Sequence, residues 1–141
     1  MDLAGSRIVV TGASRGIGAD LATALAARGA RVVLVARSRE AIEIRAQELD
    51  GEAFPADLAD PSTIEPLVRD IEANGPIDVL VNNAGVDLTG GLTELPAERI
   101  QELIAVNLVA PMLLSRADEV DAGSTARQHA SCNRLPRGPA A

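Results

Sequence analysis

Short apolar runs alternate with helical patterns along most of the chain. Four runs predict strands, because continuous apolar stretches suit parallel strands that are buried on both faces: 7–11, 31–36, 52–55 and 77–81. Helices are predicted from the apolar spacing after Gly18, over 38–49, from Asp60-Pro61 and over about 96–116. This alternation predicts an α/β fold, a doubly wound parallel sheet with helices on both faces.

The pattern changes after Ala117. Residues 118–141 show neither a strand period nor a helix period, and they are rich in Ala, Arg, Pro, Ser and Gly. We expect one domain over 1–117 and an irregular, disordered tail over 118–141, which leaves the fourth strand as an exposed edge. His129 and Ser131 have no predicted strand before them, so neither is expected to act in catalysis, and Cys132 is taken as incidental.

Composition restricts the partners of the chain. The net charge of −7 argues against nucleic acid and against an anionic membrane surface, so any phosphate site must be built locally from backbone N–H groups and Arg. One cysteine, no recognisable leader and no apolar run near the length of a membrane span favour a cytoplasmic location. The sequence has no Tyr, no Trp and no Lys, and all 13 of its Lys and Arg positions are Arg.

A glycine cluster lies between the first strand and the first helix. Gly12 would permit a tight turn, while Gly16 and Gly18 would let the backbone approach an anion and let the helix pack on the sheet. The N–H groups and the dipole of the helix start would favour a phosphate there. A purely structural turn between strand and helix is the alternative.

Four motifs in order resemble one known family. The segment 11–18, T-G-A-S-R-G-I-G, resembles the T-G-x-x-x-G-x-G fingerprint of short-chain dehydrogenases/reductases, and 82–85 is similar to their N-N-A-G. Asp57-Leu58 resembles the family's acidic contact to the adenine ring, and Asn107 lies where the family has its helix asparagine. The chain is thereby identified as a member of this family over residues 7 to about 116.

The resemblance implies a Rossmann-type fold with strand order 3-2-1-4, truncated after the fourth strand and the helix that follows. It implies an NAD(P) cofactor, a small carbonyl or alcohol substrate, and pairing of two copies through the long helix, as in relatives. No metal site is predicted. The residues expected to bind the cofactor are Gly12, Ser14, Arg15, Gly16, Ile17, Gly18, Arg37, Asp57, Leu58, Asn83, Ala84 and Gly85.

The end of the second strand favours NADP over NAD. An acidic residue there would bind the ribose 2′-OH of NAD, but the chain has Arg37-Ser38-Arg39 instead. Arg37, with help from Arg15, could donate paired hydrogen bonds to a 2′-phosphate. Alternatively, Arg37 and Arg39 are solvated side chains at a helix start, although cations are unfavourable at that end of a helix.

Asn107 is the one catalytic candidate. It lies within an apolar stripe of the long helix that is predicted to face the core: Ile100, Leu103, Ile104, Leu108 and Met112. Pro111 should kink the helix and remove the backbone bond to the Asn107 carbonyl. The resemblance implies that this carbonyl holds a water linked to a catalytic lysine. The alternative is a structural Asn whose amide is satisfied by the core.

The family's reaction, hydride transfer between the nicotinamide and a carbonyl or alcohol carbon, uses a Ser, a Tyr and a Lys. A chain without Tyr and Lys is expected to be catalytically incomplete. We interpret it as a truncated or frame-shifted product of an oxidoreductase gene, since codons read one base later after Ala117 permit a segment similar to the family's. The alternatives are a non-catalytic NADP-binding module or sensor, and a fragment that neither folds nor binds.

Overall fold

Five strands of the computed structural model run parallel in one sheet, in the order β3-β2-β1-β4-β5. The structure describes residues 3–121 and 128–131. The order of the first four strands confirms the prediction. The bounds of the strands are Arg7–Thr11 for β1, Arg31–Ala36 for β2, Glu52–Pro55 for β3, Val79–Asn82 for β4 and Gln128–Ser131 for β5.

The helices cover both faces of this sheet, as predicted for a doubly wound fold. Their bounds are Gly16–Ala26 for α1, Arg39–Leu49 for α2, Ile64–Glu72 for α3, Ala97–Ile104 for α4 and Ala110–Asp121 for α5. A π-helical turn, Ala105–Val109, joins α4 to α5. The predicted helix start at Asp60 is a 3-10 turn that leads into α3, and the Asp60 side chain accepts a hydrogen bond from the Ser62 N–H at 2.9 Å.

The core has two apolar layers, one on each face of the sheet. Ile8 and Val10 of β1 point into the layer that α1 and α2 cover, whereas Val9 between them points into the layer that α3 and α5 cover. Both faces of β1 are therefore apolar, which is why its sequence shows no alternation. Each fully buried Val, Leu or Ile side chain contributes about 1.5–3 kcal/mol to stability.

The segment after Ala117 departs from the prediction. Residues 118–121 complete α5, and β5 pairs with β4 with Val79 opposite Gln128 and Asn82 opposite Ser131. The predictions of an irregular segment here and of an exposed β4 edge are therefore wrong for 118–121 and 128–131. The sequence gives no signal for β5, because main-chain hydrogen bonds to a strand edge require no particular side-chain pattern. Residues 122–127 and 132–141, including Cys132, lie outside the described residues.

The long helix buries a different face from the one predicted. Val106, Ala110 and Leu114 are buried, and the last two pack in the layer with α3. Three large apolar residues of the predicted stripe are instead 46, 56 and 64% exposed: Ile104, Leu108 and Met112. The helix has two apolar faces, and on each of them apolar residues recur every four positions. The face that packs in the core contains Ala110, whose small side chain lets the helix approach the sheet closely.

The stretch Ala97–Ala117 is helical over 21 residues and is long and apolar enough to cross a membrane by length and composition alone. Charged residues near both ends of the stretch, Glu98, Arg99, Glu102 and Arg116, interrupt its apolar sequence, which agrees with the prediction that no continuous apolar run reaches that length. A core helix of a layered α/β protein meets the same criterion, and Ala110 and Leu114 of this helix do lie in the core.

Candidate functional site

Two turns meet at the carboxyl ends of the neighbouring strands β1 and β4. The Thr11 hydroxyl accepts hydrogen bonds from the backbone N–H groups of Asn83 at 3.0 Å and Ala84 at 2.9 Å, and donates to the Val81 carbonyl at 3.3 Å. Thr11 is 1% exposed. One buried side chain therefore connects the glycine turn after β1 to the turn after β4.

The Asn83 side chain makes the connection in the other direction. Its Nδ2 donates to the Thr11 carbonyl at 2.9 Å and to the Gly12 carbonyl at 3.4 Å. These bonds fix the carbonyls of the glycine turn, and the Gly12 carbonyl lies directly against Gly18 in the first turn of α1. The two turns thus hold each other by side-chain to backbone bonds, and neither depends on a salt bridge.

Two glycines of the cluster have no space for a side chain. A Cβ on Gly12, whose φ is +69°, would lie 2.8 Å from the Ala84 Cα. A Cβ on Gly18 would lie 2.4 Å from both the Gly12 carbonyl oxygen and Asn83 Nδ2. The absence of these side chains lets the start of α1 pack directly on the turn, as predicted for Gly18.

The start of α1 has the features of an anion site. Arg15 precedes the helix in an extended conformation, with no side-chain cap and no acidic residue in the first turn within the described part of the chain. The first N–H groups of a helix have no partner inside the helix, and its dipole places partial positive charge there. Backbone donors and dipole together can bind a phosphate group.

These elements border a cleft of about 630 Å³. All of the residues predicted to bind the cofactor line it except Gly16. The lining has six further residues that were not predicted from the sequence: Ala36, Ser38, Ala41, Ala56, Val86 and Val106. Ser38 follows Arg37 and Val106 precedes Asn107 in the sequence. Adjacency to a predicted site residue is therefore the sequence feature that could have identified them as lining residues. Asn107 itself is not part of the lining.

One end of the cleft lies at the glycine turn and the turn after β4, and the other end lies beyond the carboxyl ends of β2 and β3. Leu58 is 6% exposed and belongs to the core layer of α3, whereas Asp57 is exposed at its surface and its Oδ1 accepts a hydrogen bond from the Ala59 N–H at 3.0 Å. Arg37 follows β2 on the other side. A carboxylate, an apolar side chain and a guanidinium group therefore surround this end.

The arginines near β2 are not equivalent. Arg37 lines the cleft, and its Nη1 lies 3.5 Å from Glu102 Oε1 on α4. Arg39 does not line the cleft, and its exposed side chain pairs with Glu43 one turn along α2, at 3.1 Å. The alternative of a solvated helix-start cation therefore describes Arg39, whereas Arg37 remains a candidate phosphate ligand.

Asn107 holds the segment that follows β4. Its Nδ2 donates to the Val86 carbonyl at 2.8 Å, and its Oδ1 accepts from the Val86 N–H at 2.9 Å. The helix distortion predicted beside Pro111 is the π-helical turn, in which the Ala110 N–H donates to the Ala105 carbonyl. Asn107 is half-buried, and its two hydrogen bonds fix the backbone of Val86, a residue of the cleft wall.

Two carboxylates with lowered pKa values lie outside the cleft. A hydrogen bond from the Arg7 guanidinium lowers the pKa of Glu52, and hydrogen bonds from Ser62 lower the pKa of Asp60. Arg7 is fully buried, and it also donates to the Ile71 carbonyl at 2.9 Å. These groups stabilise the amino-terminal edge of the sheet and the start of α3. Over the described residues, no cluster of His, Cys, Asp and Glu could hold a metal ion.

Comparisons with known proteins agree with this geometry. The model of the short chain dehydrogenase family matches residues 6–122, and the chain belongs to that family. It is 39% identical over 121 residues to 5-keto-D-gluconate 5-reductase of Escherichia coli (strain K12), covering 82% of this chain and 48% of the relative. It is 40% identical over 117 residues to L-xylulose reductase of Mus musculus, covering 82% and 47%.

Solved structures show the same fold. A metagenomic blue fluorescent protein in complex with NADPH matches with a TM-score of 0.80 at 35% identity, over 86% of this chain and 53% of that one. A metagenomic short-chain oxidoreductase in complex with NADP matches with a TM-score of 0.76 at 45% identity, over 83% and 56%. The chain spans about half the length of the relatives it matches.

Proposed function

We propose that the cleft binds NADP in preference to NAD, and that the chain is the dinucleotide-binding part of an oxidoreductase of this family. One observation carries the proposal: the residues singled out for the cofactor come from four separate strand ends, and all except Gly16 line a single cleft. Two similar structures are described as complexes with NADPH and NADP, which supports the same ligand here. A cytoplasmic location, suggested by composition, is part of this proposal.

The residues present fit a dinucleotide. The cleft volume of about 630 Å³ lies within the range of roughly 300–1,000 Å³ that is usual for small-molecule sites. The start of α1 supplies backbone donors for the pyrophosphate, and Gly12 and Gly18 lie where side chains are excluded. In a protein with a net charge of −7, such a local site is needed to attract a phosphate.

The preference for NADP depends on Arg37. Its guanidinium can donate two parallel hydrogen bonds to a 2′-phosphate, while a 2′-hydroxyl lacks the charge and the second acceptor oxygen. Arg15, an exposed residue of the cleft lining, adds a second positive charge. Asp57 and Leu58 would contact the adenine ring between them.

In this family the bound cofactor would donate a hydride to a carbonyl carbon as NADPH, or accept one from an alcohol carbon as NADP⁺. The chain's own residues would bind the pyrophosphate, hold the turn 83–85 and, through Asn107, position Val86 beside the cofactor. The sequence contains neither the Tyr nor the Lys that the family uses for proton transfer. We therefore propose that the 141-residue chain binds nucleotide without turning it over.

A non-catalytic NADP-binding module or sensor is the second candidate function, and the lack of Tyr and Lys fits it as well as the first. NADPH oxidation by the purified chain, measured across a panel of aldehydes and ketones, should show no turnover under either candidate. Turnover would contradict the claim of catalytic incompleteness. Deletion of the gene in its native host distinguishes the two candidates. If the chain is a binding module or sensor, its loss should change the phenotype. If it is the inactive part of an oxidoreductase, its loss should have no effect.

Calorimetric titration of the purified chain with NADP⁺ and NAD⁺ tests the proposal. Arg37→Ala should weaken NADP⁺ binding by about tenfold or more, because it removes charge-assisted hydrogen bonds, and should leave NAD⁺ binding unchanged. Arg39→Ala removes the same charge two residues away and should change neither. Equal effects of the two substitutions, or a loss of NAD⁺ binding in Arg37→Ala, would contradict the assignment.

A further inference from the structure

Glu102 lies beside the arginine that the proposed function assigns to the 2′-phosphate. Its Oε1 is 3.5 Å from Arg37 Nη1, and its Oε2 pairs with Arg99 on the same helix. The Glu102 side chain is 20% exposed, whereas that of Arg37 is 63% exposed. The carboxylate is thus the sheltered member of the pair, and Arg99 holds its second oxygen in place.

The ion pair joins a residue that lines the cleft to the helix α4. Arg37 follows β2, and Glu102 belongs to α4, whose chain continues into the π-helical turn. Val106 lies four residues after Glu102, a spacing that places two side chains on the same face of a helix, and Val106 lines the cleft. Glu102 is not itself part of the lining, but it is close to the cleft through two lining residues, Arg37 in space and Val106 along the helix.

We propose that Glu102 is a specificity-determining residue that weakens the binding of a 2′-phosphate relative to a 2′-hydroxyl. The proposal rests on the proposed function, which places the adenosine ribose beside Arg37. A phosphate dianion competes with the Glu102 carboxylate for one guanidinium group, and the two anions repel each other. A neutral 2′-hydroxyl meets neither effect, so Glu102 narrows the preference for NADP that Arg37 creates.

The opposite role is physically possible and gives the opposite sign. If Glu102 mainly oriented Arg37 toward the phosphate, its removal would weaken phosphate binding. The exposure of Arg37 argues for competition, because a side chain that is 63% exposed is not held in one orientation by a single contact at 3.5 Å.

The test uses the full purified chain, with 2′,5′-ADP and 5′-AMP as probes that differ only in the 2′-phosphate. Glu102→Gln keeps the shape and removes the charge. It should tighten 2′,5′-ADP binding by about fivefold, the upper range for an exposed ion pair, and change 5′-AMP binding by less than about twofold. Glu98→Gln removes the same charge from an exposed position of the same helix and should leave the ratio unchanged. An unchanged ratio in Glu102→Gln, or weaker 2′,5′-ADP binding, would overturn the proposal.

A double-mutant cycle shows whether Glu102 acts through Arg37. In an Arg37→Met background, Glu102→Gln should lose most of its effect on 2′,5′-ADP. The same effect in both backgrounds would overturn the competition for Arg37. If the folded wild-type chain binds neither probe, the proposed function fails and this inference fails with it. If the wild-type chain binds both probes and Glu102→Gln leaves their ratio unchanged, only this inference fails.

Discussion

Gly18→Ala perturbs the closest approach in the site. The added Cβ would lie 2.4 Å from both the Gly12 carbonyl oxygen and Asn83 Nδ2, about 1 Å inside ordinary contact. Neither neighbour can easily move, since the first is backbone in a left-handed turn and the second is bonded to the Thr11 carbonyl. The start of α1 must therefore shift away from the turn.

The magnitude follows from two opposing contributions. Overpacking of this kind costs about 1–3 kcal/mol. The steric overlap of about 1 Å places the cost in the upper half of that range. Alanine in place of glycine within a helix returns about 0.5–1 kcal/mol. We expect the free energy of unfolding to fall by about 1–2.5 kcal/mol.

Urea unfolding followed by far-UV circular dichroism measures this change, because the chain has no Trp or Tyr to serve as a fluorescent probe. Gly91→Ala is the matched control: its φ is −68°, and its added Cβ would meet Glu94 at 3.6 Å, an ordinary contact. Unfolding free energies of the two variants that agree within about 0.5 kcal/mol would refute the packing argument.

Three further predictions concern the rest of the described chain. Thr11→Val leaves two backbone N–H groups of the turn after β4 without their acceptor and should lower the free energy of unfolding by about 1–3 kcal/mol, whereas Thr11→Ser should keep most of it; equal losses would refute the role of the hydroxyl. Because the pKa of Glu52 is lowered, its ion pair with Arg7 stabilises the fold above about pH 4.5, and this stabilisation is lost as the pH falls through the lowered pKa. Glu52→Gln should therefore flatten the acidic part of a plot of unfolding free energy against pH, and an unchanged plot would contradict the role of this ion pair. We expect the chain to self-associate through the exposed apolar face of the long helix. Leu108→Glu should therefore reduce the sedimentation coefficient, whereas Ile44→Glu, at a comparably exposed apolar residue on α2, should not. A monomeric wild-type chain would contradict this expectation.

The lining of the cleft could be predicted because it depends on backbone features that the sequence encodes directly. A glycine at a left-handed turn, such as Gly12, and polar residues at the ends of buried strands, such as Asn83 and Asp57, leave local signals. Parallel strands then bring those ends to one edge of the sheet, so a correct strand order groups the residues.

The parts that could not be predicted depend on contacts between distant segments. The long helix has two apolar faces, and the sequence does not say which of Leu108 or Ala110 packs against the sheet. The strand β5 is held by main-chain bonds to β4 and has no side-chain signature. Glu102 is an ordinary polar position of an amphipathic helix, and its meeting with Arg37 is visible only in three dimensions.

We propose above all that a dinucleotide binds across the glycine turn and the turn after β4. An NMR titration of the ¹⁵N-labelled full chain with NADP⁺ tests it most directly, since backbone amides report the site residue by residue. We predict saturable shifts concentrated at 12–18, 37–38, 57–58 and 83–86. Shifts confined to other surfaces, or none at millimolar NADP⁺ in a chain whose spectrum shows it to be folded, would contradict the claim.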